Sequence, residues 1–223
     1  MSVNKKIVEG LLNELKPYNA ALIAVSKTKS IKAILEVYST GQRIFGENYV
    51  QELVEKYERL PKDIQWHYIG HLQSNKVKLI APFVSLIHSV DSLKLLKEIN
   101  KEAKKNNRTI NCLLQIYIAK EETKFGLSFE EADDLLNSPE LKTLQHISIK
   151  GLMGMATLTD NKNQIRAEFS TLKYFLNSVG TKFAIDNSQS AILSMGMTSD
   201  YKIALEEGSN MVRIGSAIFG VRN

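Results

Sequence analysis

Eight short apolar runs recur along the chain, and segments with the periodicity of amphipathic helices separate them. Strands that alternate with helices in this way form parallel βαβ units. Eight units in 223 residues match a small (β/α)8 barrel, the TIM barrel of the α/β class. The predicted strands cover residues 21–25, 43–45, 65–69, 84–88, 110–118, 147–153, 192–195 and 211–214.

One extra helix precedes the first strand. The predicted helices cover residues 3–15, 31–38, 47–60, 74–80, 93–105, 130–136, 163–179 and 199–207. A doubly wound open sheet is the competing architecture, because short apolar runs fit either fold. No Gly-x-Gly-x-x-Gly follows the first strand, which weakens a dinucleotide-binding interpretation. No Pro/Gly/Ser-rich linker interrupts the chain, so one domain over residues 1–223 is expected.

Composition argues against a membrane, secreted or nucleic-acid-binding protein. No apolar run approaches the ~18 residues that a membrane span needs, and no secretory signal is visible at the start. The single cysteine, Cys112, lies in an apolar run and is expected to be a core residue of a cytoplasmic protein. The net charge is +5, but the basic stretch 101–108 carries no interleaved aromatics, so nucleic-acid binding is not expected. A monomer is expected, because no exposed apolar helix dominates the chain.

In a barrel, functional side chains lie at the carboxyl ends of the strands. Lys27 follows the first strand, and Arg213, Gly215 and Ser216 end the eighth. A lysine that can form an imine, with an arginine and a glycine turn that can hold a phosphate, indicates a pyridoxal phosphate (PLP) site. The other polar, glycine and methionine positions at predicted strand ends are Gly46, Glu47, Asn48, His67, Gly70, His71, His88, Ser89, Asp91, Lys120, Lys124, Gly154, Met155, Ser194, Met195 and Gly196.

Six segments support this interpretation. They are AVSKTK (24–29), FGENYVQE (45–52), WHYIGHLQSNK (66–76), GLMGM (151–155), LSMGM (193–197) and VRIGSAIFG (212–220). In this order they resemble the pyridoxal-phosphate homeostasis (PLP-binding) protein family, whose barrel is similar to the N-terminal barrel of alanine racemase. The segments span nearly the whole chain.

The resemblance implies a role for each matching residue. Lys27 would hold PLP as a Schiff base, and Arg213 would face the pyridine nitrogen. Lys124 resembles a second family lysine proposed to handle the cofactor. The residues implied for the phosphate are Ser194, Gly196, Gly215 and Ser216, and those for the ring pocket are Asn48 and Met195. Two departures concern this region, since Thr198 replaces the usual serine and residues 180–190 form a longer stretch than usual.

The chemistry of Arg213 favours a carrier over an enzyme. A fixed positive charge disfavours protonation of the pyridine nitrogen, so the ring stabilises a carbanion poorly. Racemisation also needs an acid/base on each face of the substrate. In alanine racemase the second one comes from a partner chain's additional domain, for which this chain is expected to have no residues. The expected function is therefore a PLP carrier or buffer in vitamin B6 homeostasis with little or no catalysis, and apo-PLP enzymes are the candidate recipients.

Two other function classes remain open. One is a PLP-dependent amino-acid racemase, and the other is an interaction protein with a vestigial site. A metal site is not expected, because His67 and His71 straddle a strand end rather than sharing a helix face.

Overall fold

The computed structural model describes residues 3, 5–120, 125–183 and 191–220. Within these ranges the strands are β1 (Ala21–Val25), β2 (Ile44–Glu47), β3 (Gln65–Tyr68), β4 (Leu86–Val90), β5 (Ile110–Ile116), β6 (Ile147–Gly154), β7 (Ile192–Met197) and β8 (Met211–Ile214). The helices are α1 (Lys5–Leu15), α2 (Ile31–Tyr38), α3 (Val50–Arg59), α4 (Val77–Ile80), α5 (Leu93–Lys105), α6 (Phe129–Asn137), α7 (Lys162–Val179), α8 (Tyr201–Glu206) and α9 (Ser216–Phe219).

The eight strands close into a parallel barrel in sequence order. Ala24 of β1 lies opposite Phe45 of β2 on one side and Ile214 of β8 on the other. Because β1 pairs with β8, the open-sheet alternative is excluded. The (β/α)8 prediction is confirmed, and α1 is the extra helix that precedes the first strand.

The core has two layers, because successive side chains of a strand point to opposite faces of the sheet. One layer fills the barrel interior, where Ile23, Leu113 and Met153 are almost completely buried. The larger layer lies between the strands and the surrounding helices and includes Trp66 and Phe169. Both faces of each strand are therefore covered, as is usual for parallel sheets.

Short polar side chains set the beginnings of several helices. Ser30 Oγ accepts the backbone N–H of Ala33 at the start of α2. At α5 the cap is Ser92, whose Oγ accepts the backbone N–H of Leu95. Ser128 and Glu131 form a reciprocal capping box at α6 that satisfies two otherwise unpaired backbone donors.

The structure corrects several predicted ends. β4 covers Leu86–Val90 instead of 84–88, so His88 lies in the middle of the strand and not at its carboxyl end. β7 continues to Met197, two residues past the predicted end, and Gly46 and Glu47 belong to β2. The short helix α9 was not predicted. Among the described residues, the helices are too short or too polar to cross a bilayer.

Candidate functional site

A cavity of about 540 Å³ opens at the carboxyl ends of the strands. It lies where β1 and β8 meet, with contributions from the segments that follow β2, β3, β6 and β7. The position agrees with the usual location of functional sites in this fold. The lining residues are Val25, Lys27, Lys29, Asn48, Ile69, Met155, Met197, Thr198, Ser199, Arg213, Gly215, Ser216 and Gly220.

Lys27 lies in a tight turn directly after β1. The backbone N–H of Lys29 donates to Ser26 O (3.0 Å), and Thr28 adopts a φ of 64°, in the left-handed region. Glu52 Oε1 accepts the Thr28 N–H at 2.6 Å. This acceptor offsets part of the cost of the left-handed conformation, which is unfavourable for a β-branched residue. The turn thereby fixes the backbone from which the Lys27 amine extends into the pocket.

A buried charge cluster supports this turn from the helix side. Lys56 Nζ contacts Glu47 Oε1 at 2.7 Å and Glu52 Oε1 at 2.6 Å, and it donates to Ser26 O at 2.7 Å. Ser26 Oγ donates to Glu47 Oε1 at 2.5 Å. Burial raises the pKa of Glu47, while Lys56 and Ser26 act in the opposite direction. One ammonium group thus ties β2 and α3 to the residue before Lys27.

Arg213 is held at the pocket floor by acceptors on the neighbouring strands. Its Nη1 donates to Ser194 O (2.8 Å) and Ser194 Oγ (2.7 Å), and its Nη2 donates to Gly154 O (2.9 Å). The residue is 5% exposed. Burial lowers the pKa of Arg213 to about 10, opposed by Asp200, so the guanidinium stays charged at neutral pH.

Two histidines continue this polar chain through the barrel interior. His88 Nδ1 lies 3.1 Å from Ser194 Oγ, and His88 Nε2 lies 3.0 Å from His67 Nδ1. Burial lowers the pKa of His67 to about 3 and that of His88 well below its ordinary value. Both rings are therefore neutral. The sequence pattern placed His88 at the carboxyl end of its strand, so this chain of contacts was not predicted.

Asn48 lines the pocket with an incompletely satisfied side chain. Its Oδ1 is buried and, among the described residues, has no hydrogen-bond partner. Its backbone carbonyl lies 2.9 Å from Tyr68 Oη and packs against Gly70, where an added Cβ would come within 2.3 Å of Asn48 O. The backbone of Asn48 is thus fixed, while its buried amide oxygen has no hydrogen-bond partner among the described residues.

The structure separates the residues that the resemblance assigned to phosphate and ring. Gly215 and Ser216 line the pocket, but Ser194 lies beneath Arg213 and is fully buried. Gly196 (φ 93°) packs closely against α8, where a Cβ would lie 2.6 Å from the Ala204 Cβ. Packing against α8 therefore requires glycine at position 196. Gly196 is not among the residues that line the pocket.

Met195 also lies elsewhere than expected. Its fully buried side chain belongs to the layer between strands and helices, because it follows Ser194, which points inward. Met197, two residues later, lines the pocket together with Thr198 and Ser199, because β7 shifts its register against β8 between Ser194 and Met197 and the alternation of side chains is interrupted there. Ser199 was missed as a site residue, and Thr198 had been noted only as a departure. Lys124 lies outside the described residues.

The lining selects a small anion with an electrophilic group. Lys27, Lys29 and Arg213 contribute positive charge, and the described lining side chains include no carboxylate. No metal-binding cluster of His, Cys, Asp or Glu occurs among residues 3, 5–120, 125–183 and 191–220. A primary amine, a fixed guanidinium and hydroxyl groups from Thr198, Ser199 and Ser216 match an aldehyde that carries a phosphate. The residues present therefore fit PLP.

Comparisons with known proteins agree with this geometry. Residues 8–223 match the family "Alanine racemase, N-terminal domain". The pyridoxal phosphate homeostasis protein of Haemophilus influenzae is 40% identical over 225 residues, which cover 99% of this chain and 93% of the relative.

Solved structures show the same similarity. PipY of Synechococcus elongatus without PLP is 34% identical and has a TM-score of 0.89, covering 97% of this chain and 99% of PipY. PipY with PLP bound is 34% identical with a TM-score of 0.82, covering 96% and 100%.

Proposed function

Because this chain belongs to the pyridoxal phosphate homeostasis proteins of the alanine racemase N-terminal domain family, we propose that it binds PLP and acts in the homeostasis of this cofactor. In this proposal it is a PLP carrier or buffer with little or no catalysis. The observation that carries the proposal is the pocket between β1 and β8, where the Lys27 amine and the Arg213 guanidinium line one cavity without a carboxylate among its described lining residues.

The pocket residues have separate tasks in this proposal. Lys27 supplies the amine that links to the aldehyde, and its turn is held by Glu52 and Lys56. Arg213 faces the ring nitrogen as a fixed cation. Ser216, after Gly215, and the adjacent Thr198 and Ser199 supply hydroxyl groups for the phosphate. When bound, PLP supplies an electrophilic carbon and an electron-withdrawing ring.

The same residues disfavour turnover. A guanidinium beside the ring nitrogen opposes its protonation and weakens the ring as an electron sink. Of the described side chains that line the pocket, only Lys27, Lys29 and Arg213 are titratable, so no His, Tyr, Asp, Glu or Cys is available there as a second acid/base. For this reason an amino-acid racemase ranks only second as a candidate function. Measurement of α-proton exchange on alanine and serine in D2O tests it.

Borohydride trapping tests the lysine assignment. The protein is incubated with PLP, reduced with borohydride, digested and mapped by mass spectrometry. We expect the pyridoxyl mass on the peptide that contains Lys27, and its loss in Lys27→Arg, which retains the charge but no nucleophilic amine. Lys29→Arg is the matched control from the same pocket and is expected to be labelled like the wild type. Label that remains on Lys29 or Lys124 in the Lys27 variant would contradict the assignment.

The domain organisation, oligomeric state, location and recipients of PLP are also proposals. We propose that residues 1–223 act as one monomeric domain in the cytoplasm and pass PLP to apo-PLP enzymes. Transfer is tested by mixing the loaded protein with an apoenzyme and comparing the rate of activation with the rate of PLP release into buffer. Activation no faster than release would exclude direct delivery.

A further inference from the structure

A continuous row of four buried polar side chains crosses the upper part of the barrel interior. His67 of β3, His88 of β4, Ser194 of β7 and Arg213 of β8 are each at most 5% exposed. Neighbouring members of the row lie 2.7–3.1 Å apart. Buried polar groups in such a position are costly unless each one finds a partner, so the row must be hydrogen-bonded in a defined order.

Arg213 sets one end of the row, because a guanidinium only donates and Ser194 Oγ therefore accepts from it. The Ser194 hydroxyl proton then needs an acceptor, and among the described contacts of this oxygen that acceptor is His88 Nδ1. Neutral His88 then carries its proton on Nε2 and donates it to His67 Nδ1. His67 in turn carries its proton on Nε2. Each hydroxyl or imidazole therefore presents a lone pair toward Arg213 and a proton away from it.

We propose that Ser194 and His88 are positioning residues for Arg213, which they hold with its charge at the pocket floor through this directed row of hydrogen bonds. The inference rests on the proposed function in that Arg213 faces the PLP ring. Ser194 contacts the guanidinium directly, and His88 acts one step away by accepting the Ser194 proton. Without this acceptor the Ser194 hydroxyl rotates toward another partner. Its lone pair then no longer points at Arg213 Nη1.

His88→Asn and His88→Leu form a matched pair that isolates the acceptor. Both side chains branch at the γ position and have similar volumes, but only asparagine offers an acceptor close to the position of Nδ1. His88→Leu removes one hydrogen bond from the row, and the loss of one such bond corresponds to a weakening of PLP binding of up to about tenfold. We expect this loss in His88→Leu and less than about threefold in His88→Asn, measured by equilibrium titration.

Stability is expected to rank these two variants in the opposite order. Leucine suits the barrel interior, whereas a buried asparagine amide lacks some of its partners, so His88→Leu should resist urea at least as well as His88→Asn. A merely structural role for His88 predicts that PLP affinity follows stability. Affinity that follows stability, or equal affinity of the two variants, would overturn the proposal.

Ser194→Ala provides the second test, because it removes only one atom. We expect about tenfold weaker PLP binding, and no further loss when His88→Leu is added, since the row is already interrupted at Ser194. Independent losses that multiply to about a hundredfold in the double variant would show that the two residues do not act through one row.

Histidine ¹⁵N NMR on the protein without PLP separates this inference from the proposed function. We expect His67 and His88 to be neutral Nε2–H tautomers between pH 5 and pH 8, and an Nδ1–H form of His88 would reverse the row and overturn the inference. Failure of the wild type to bind PLP would refute the proposed function. Tight binding by the wild type and by every variant would refute the positioning role alone.

Discussion

Lys56→Met is the sharpest test of how the structure holds the Lys27 turn. The substitution removes the ammonium that contacts Glu47, Glu52 and Ser26 O, while a side chain of similar length remains. Glu47 is completely buried, so it would be left as an uncompensated interior charge. Removal of one partner of such a pair costs about 3–5 kcal/mol of unfolding free energy. For a chain of this size that corresponds to a fall in Tm of about 6–20 °C.

The loss depends on pH with a definite sign. Burial already raises the pKa of Glu47 above its ordinary value of 4.5, and removal of the Lys56 cation raises it further. An acid whose pKa is higher in the folded than in the unfolded protein makes stability fall as pH rises from the unfolded value through the folded one. The variant should therefore be closer to the wild type at pH 5 than at pH 8.

Urea denaturation at both pH values measures the effect. Glu47→Gln combined with Lys56→Met removes both charges and should recover most of the stability, because Gln still accepts from Ser26. Lys104→Met, on the exposed face of α5, is the control and should change stability by less than about 0.5 kcal/mol. A Lys56→Met protein as stable as the wild type at pH 8, or an equal loss at both pH values, would refute this account of the cluster.

Two further substitutions and one labelling experiment test other parts of the structure. Gly70→Ala places a Cβ 2.3 Å from Asn48 O, so it should lower stability by about 1–3 kcal/mol and weaken PLP binding, as measured by urea denaturation and PLP titration. Gly10→Ala, in α1 with open space around it, should instead stabilise the protein by about 0.5–1 kcal/mol. Burial raises the pKa of the Cys112 thiol, so a thiol reagent should label Cys112 only in urea, and rapid labelling of the folded protein would contradict its placement in the core.

The barrel could be predicted because its signal is local. Each buried strand is an apolar run, each helix is amphipathic, and the regular alternation of the two admits few topologies. Lys27 and Arg213 could likewise be placed at strand ends, and the structure brings both to the lining of one pocket.

Strand ends and side-chain directions could not be predicted in the same way. Residues 84–90 (VSLIHSV) mix apolar and polar residues without a turn signal, so the sequence alone does not say where β4 begins. Its register is set by pairing of Leu86 with His67 and with Asn111, which are distant in sequence. The shift of two residues moved His88 from the expected mouth into the interior. Met195 was misplaced for the related reason that one residue along a strand reverses the direction of the side chain.

The seam between β1 and β8 has a consequence for biosynthesis. Lys27 follows the first strand, Arg213 belongs to the last, and Lys29 Nζ reaches the carbonyl oxygens of Phe219 and Gly220 at 3.3 and 3.2 Å. A nascent chain emerging from the ribosome cannot assemble this pocket until its final strand has been released and docked. PLP binding is therefore possible only after β8 has paired with β1 and closed the barrel. Truncation before β8 should abolish PLP binding completely rather than weaken it.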